Sequence, residues 1–206
     1  MNRKLQIALL CALPTLAGAA TDERQPLDMQ YDAKMREVPQ EHLDGLCHVR
    51  VTVKDERQNK ETVGLSFRGA LLTTDMRTWV ANGLSDLRNF GAEVDTEEGV
   101  PLPAGGGVAV EASLTRAYIW QVGFKIFSMV ALKARFSNGN GLIQEKYYRA
   151  HGDKTNMWGA DSEYVDTLNY GMNNLVPVMA QDLVSLCRGV PVEQYSYAGP
   201  PEKKPK

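Results

Sequence analysis

Apolar and polar positions alternate from Cys47 through Val49, Val51 and Val53, set against His48, Arg50, Thr52 and Lys54. Period two with β-branched residues on one side predicts a half-buried strand. A charged loop, Asp55 to Glu61, follows, then a short strand is expected at Val63 to Phe67 and another at Ala92 to Thr96. The longest alternating stretches are Val108 to Trp120 and Phe124 to Phe136. They predict two long strands joined near Gly123, with Ile126, Ser128, Val130, Leu132, Ala134 and Phe136 on one face of the second. Ser137-Asn-Gly-Asn-Gly141 is rich in residues that tolerate positive φ and predicts a hairpin turn, with Leu142 to Ala150 returning as the third strand of an antiparallel meander.

Two segments carry a helical period instead. Met76, Val80, Leu84 and Leu87 recur at spacings of 4, 4 and 3, with Trp79 widening the stripe. Thr73 or Thr74 is the expected N-cap, and Gly91 the expected stop. Gly83, inside this helix, suits a close approach by a neighbour. The second stripe runs Val165, Leu168, Met172, Leu175, Met179, Leu183 and Leu186, capped by Asp161 or Ser162. Pro177 lies within it and is expected to kink or divide it. Residues 151–160 between strand and helix read as a loop.

An apolar stripe on a helix and an apolar face on a sheet must bury each other. The expected fold is therefore α+β: an antiparallel or mixed sheet of four to five strands, with two amphipathic helices packed on one face. The domain is expected over residues 44–188. A charged leader with Pro26 and Pro39 precedes it at 20–43, and a mobile, proline-rich tail follows at 189–206.

The first nineteen residues change where this domain works. Arg3 and Lys4 precede an apolar run, Leu5 to Leu13, and Ala17-Gly18-Ala19 follows. That order predicts a secretory signal peptide cut near Ala19, and a periplasmic or secreted protein. The apolar run is too short to span a bilayer, which takes about 20 residues, and no later segment is long enough either. The chain has 23 Lys+Arg and 25 Asp+Glu; without Arg3 and Lys4 the balance is 21 to 25, a net charge of −4 with His neutral. Nucleic acid is not an expected partner, because binding would need a clustered cationic face and the chain has no Lys/Arg run except its last residues, Lys203, Lys204 and Lys206.

Of three cysteines, Cys11 leaves with the signal. Cys47 and Cys187 remain as an even pair in an oxidising compartment, and a disulfide is expected. It would join the start of the first strand to the end of the last helix.

Catalytic chemistry finds no convincing spacing. Gly64-Leu-Ser66-Phe-Arg68-Gly69 is one residue too long for a nucleophile elbow. Pro103-Ala-Gly105-Gly-Gly107 has the glycines of a phosphate loop without the Lys-Ser/Thr pair or the following helix. His42, Asp44, Cys47 and His48 match no common zinc spacing, so no metal and no other cofactor is expected. Asp95, Glu97 and Glu98 read as a solvated loop. His151 and Asp153 are the best centre for an alternative reading, an exported hydrolase. The preferred reading is a non-enzymatic binding or assembly protein of the envelope. Its candidate partner surface comprises Tyr118, Trp120, Phe124, Tyr147 and Trp158, facing an envelope protein or lipid.

Val51-Thr-Val-Lys-Asp-Glu-Arg57 and Tyr170-Gly-Met-Asn-Asn-Leu-Val-Pro177, with Asp182-Leu183, resemble the YajG-type envelope lipoproteins. A looser similarity runs to the auxiliary lipoproteins of envelope lipid-transport ABC systems. The resemblance implies an envelope role without catalysis, accessory to lipid transport or outer-membrane organisation. One departure stands out: where such lipoproteins carry Leu-Ala-Gly-Cys, this chain has Leu16-Ala17-Gly18-Ala19, so the lipid-bearing cysteine is absent.

Overall fold

The computed structural model describes residues 24–33, 43, 45–96 and 106–199. They form nine strands and two α-helices: β1 Gln25–Leu27, β2 His48–Asp55, β3 Thr62–Leu65, β4 Ala70–Thr73, α1 Met76–Ser85, β5 Glu93–Asp95, β6 Gly107–Val122, β7 Lys125–Asn138, β8 Gly141–Thr155, α2 Asp161–Cys187 and β9 Tyr195–Ala198. The expected sheet of four to five strands is corrected to one mixed sheet of nine. Strands β1, β4, β5 and β9 hold three or four residues each, too few for alternation to stand out from neighbouring turns. β1 falls within the expected leader and β9 within the expected tail.

The sheet runs β1-β4-β3-β6-β7-β8-β9, and β2 also lies along β6 with β5 on its outer side. β6, β7 and β8 are the antiparallel meander. β6 is long enough to hold two neighbours on one side: β2 pairs with its first half and β3 meets it at Gly64↔Ile119. Gly64 has φ 143°, and a Cβ there would lie 2.0 Å from the Ile119 carbonyl oxygen. Only glycine fits that crossing.

α2 covers the meander and α1 lies over β2. The core joins Val110, Leu114 and Ile119 of β6, Val130, Leu132 and Phe136 of β7, and Leu168, Met172, Leu175 and Leu183 of α2. Gly83 of α1 faces Met172, whose Cε would be 2.6 Å from an added Cβ. α2 approaches β8 most closely at Gly152, where a Cβ would sit 2.3 Å from the Thr167 carbonyl oxygen. Among the described residues two ion pairs cross this interface: Lys154 Nζ meets Asp166, and Lys146 Nζ lies 2.6 Å from Asp182 Oδ2, where the Tyr148 hydroxyl donates to the same oxygen at 2.7 Å.

The helix ends differ from expectation. Asp75 caps α1, accepting from the Thr78 amide at 3.1 Å in a left-handed conformation, φ 49°. Thr73 is in β4 instead. Gly91 ends the 3₁₀ turn after α1 with φ 82°. Ala160 takes the N-cap position of α2, and Glu163 supplies the missing acceptor by bonding the amides of Met157, Trp158 and Ala160 at 3.0, 3.2 and 3.3 Å. α2 continues through Pro177 as one helix of 27 residues. Cys47 and Cys187 are disulfide-bonded, with Cα atoms 5.8 Å apart across 140 residues of sequence.

Candidate binding surface

With α2 on one face of the meander, the residues that alternate the other way form an open face. β6 reaches it in two phases. Val108, Val110, Ala112 and Leu114 face the helix; after a bulge between Leu114 and Arg116, Ala117 and Ile119 do so. One extra residue re-phases a strand. The bulge thus turns Tyr118 and Trp120 outward, where unbroken alternation would have buried them.

Those two rings begin an aromatic band that crosses four strands. Tyr118 and Trp120 stack at 6.2 Å between centroids, and Trp120 stacks on its cross-strand partner Phe127 at 5.5 Å. The His151 ring meets Trp120 edge-on at 6.1 Å and Tyr197 of β9 at 5.3 Å. Tyr147 stacks on Tyr195 at 5.4 Å, because β9 runs parallel to β8 with these two in register. Met129 fills the space beneath, with Arg149 Nε 3.1 Å from its sulfur. A groove of about 640 Å³ opens beside Tyr118, walled by Arg57, Asn59, Leu65 and Arg116.

The far half of the same face is charged. Glu111 bridges Lys54 at 3.9 Å and Arg135 at 3.6 Å, and Lys133 pairs with Glu145 at 3.0 Å. The Lys133 bond, with a second from the Tyr147 hydroxyl, holds the Glu145 carboxyl below the usual glutamate range.

Three of the five residues expected to make the partner surface, Tyr118, Trp120 and Tyr147, therefore lie in or beside one band. Phe124 and Trp158 stand apart, on loops at the end of the molecule. Phe127, Met129, Tyr195 and Tyr197 complete the face; Phe127 was legible as an outward position of its strand, whereas Tyr195 and Tyr197 sit in a strand too short to read.

His151 and Asp153 are on β8, not in a loop. They share the open face, yet Asp153 bonds Lys125 Nζ at 3.3 Å and His151 contacts aromatic rings. Burial, then the Arg149 charge, lowers the His151 pKa and favours the neutral ring. Ser66 is a turn residue: its Oγ accepts from the amides of Arg68 and Gly69 and donates to Gln25 Oε1 at 3.0 Å. Among the described residues no group of three or more His, Cys, Asp or Glu side chains is placed to hold a metal. His42 and Asp44 of the weighed cluster lie outside the described residues, as does the expected signal. No helix among the described residues is long and apolar enough to cross a membrane.

The words that carry the family resemblance hold the fold. Arg57 bonds Asp55 through Nη2 at 2.9 Å. Gly171 faces the closely packed strand at Ser128 and Val130, and Asn174 Nδ2 donates to the His151 carbonyl at 2.7 Å. Asp182 receives Lys146.

No family model and no curated protein matches the chain. Among solved structures, a protein of Xanthomonas campestris from the domain family DUF330 aligns with 81% of this chain and 97% of its own, at TM-score 0.50 and 5% identity. A minor lipoprotein of Acinetobacter baumannii aligns with 66% of this chain and 91% of its own, at TM-score 0.41 and 5% identity. The first of these likenesses establishes a shared fold with the DUF330 protein.

Proposed function

We propose that this chain is an exported, non-catalytic binding protein of the cell envelope, accessory to lipid transport or outer-membrane organisation, and that the aromatic half of its open sheet face receives a protein partner. The observation that carries this reading is the band from Tyr118 to Tyr197. Folding stability does not call for it: the core lies on the other face, and the charged half shows that the same strands tolerate a solvated surface. Buried aromatic anchors are the usual energetic centre of protein interfaces. The signal-like residues 1–19 and the bonded cysteines support export.

The experiment is photo-crosslinking in intact cells, with a benzophenone side chain placed at Tyr118, Tyr197 or Arg77. Arg77 is exposed on α1, away from the band. Tyr118 and Tyr197 should label the same envelope protein and Arg77 should not. Equal labelling from Arg77, or none from either tyrosine, contradicts the reading.

A further inference from the structure

Phe124 and Trp158 belong to a second apolar feature, at one end of the sheet. Three loops meet there: 66–69 between β3 and β4, the β6–β7 turn at Gly123 and Phe124, and 156–160 leading into α2. Each presents large apolar side chains to solvent: Phe67 is 76% exposed, Phe124 81%, Met157 67% and Trp158 87%. The loops are tied to one another. Arg68 Nη2 donates to the Gly159 carbonyl at 3.0 Å and to Asp161 at 2.8 Å, and the Asn156 amide donates to the Phe124 carbonyl at 2.6 Å. Glu163 holds the amides of Met157 and Trp158 from below. Four protruding side chains on a braced platform are not the outcome of slack loops.

The chain also enters the fold at this end. Gln25, the first residue of β1, bonds both Ser66 and Asp161. From Leu13, where the expected apolar run ends, to Gln25 is twelve residues, a reach of at most about 43 Å when fully extended. A precursor held in a membrane by its apolar run would therefore keep this end of the fold within that distance of the membrane.

We infer that this end of the molecule rests on a lipid bilayer, with Phe67, Phe124, Met157 and Trp158 inserted among the headgroups. A protein partner would need a separate pocket for each projecting side chain; a bilayer takes scattered apolar groups without preformed pockets, and tryptophan favours its interface. Of the cations at this end among the described residues, Arg68, Lys125 and Lys154 are each bonded to an aspartate, and Arg24 adjoins Gln25. Apolar insertion, more than headgroup charge, therefore supplies the attraction, and binding should depend only weakly on salt. The inference rests on the export reading but not on a partner at the open face.

The test is co-sedimentation of the mature chain, starting at Ala20, with vesicles of phosphatidylethanolamine and phosphatidylglycerol. Of the three tryptophans, Trp79 is buried and Trp158 is the most exposed, so bound protein should show blue-shifted emission quenched by brominated acyl chains. Phe124→Ser with Trp158→Ser should weaken partitioning by about tenfold or more with an unchanged melting temperature. Tyr118→Ser with Trp120→Ser should leave it unchanged. No sedimentation with vesicles, or an equal loss in the Tyr118/Trp120 variant, overturns the inference. So does finding that the Phe124/Trp158 variant instead loses self-association, which would make a second copy the occupant. Failure here with crosslinks from Tyr118 intact removes the bilayer contact alone.

Discussion

The two faces of the β6–β8 meander are made by the same alternation and filled to different ends. The helix-covered face carries branched aliphatics, Phe136 and Tyr148, with Gly152 where α2 comes close and Gly171 opposite it on the helix. The open face carries ion pairs at one end and a band of rings at the other. On the covered face the apolar side chains join α2 in one core. On the open face the ion pairs are accounted for by solvent, and the rings are left as the part whose role lies outside the chain. On the proposed reading, stability and recognition are separated onto opposite sides of one sheet, and substitutions should separate them too.

The largest effect belongs to the covered face. Phe136→Ala empties a fully buried site and should lower stability by about 3–5 kcal/mol in denaturant unfolding. Asp182→Ala leaves Lys146 buried without its partner; a loss of about 3 kcal/mol or more is expected, whereas joint replacement of Lys146 and Asp182 by Met and Leu should restore much of it. Cys47→Ser with Cys187→Ser removes a link across 140 residues and should cost about 2–5 kcal/mol, read as a lower melting temperature that reductant reproduces in the unmodified chain. On the open face, Trp120→Ala should cost only about 1 kcal/mol. An open-face loss as large as that of Phe136→Ala would erase the division between the faces.

The smallest effect is a pH dependence at the loop that carries Trp158. Burial raises the Glu163 pKa, but three amide bonds and the Lys154 charge outweigh it and hold the carboxyl below the usual glutamate range. A lowered folded pKa contributes stability that is complete above the unfolded value and is lost as pH falls through the folded one. Amide protection at Met157 and Trp158 should therefore fall on acidification below the ordinary glutamate range and be largely insensitive to pH above it. Hydrogen exchange checks this, and Glu163→Gln should flatten the profile.

The meander, both helices and the cysteine pair were legible because long stretches repeat one period and only two cysteines follow the expected signal. The boundaries and the surface were less so. His151 and Asp153 read as loop because Gly152 interrupts the strand pattern, yet that glycine is what lets α2 approach β8. The phase change in β6 is written in the sequence: even-numbered apolar positions up to Leu114 give way to odd ones from Ala117. Read as one unbroken strand, that stretch conceals the bulge that sends Tyr118 and Trp120 outward. Tyr195 and Tyr197 depend on pairing with β8 across about fifty residues, which no local period reports.

The most direct test of the separation is the crosslinking yield from a benzophenone at Tyr197 in a chain also carrying Trp120→Ala. With folding verified by its melting curve, the account predicts a fall of about tenfold or more, as loss of an aromatic anchor entails. Undiminished labelling of the same partner would contradict it.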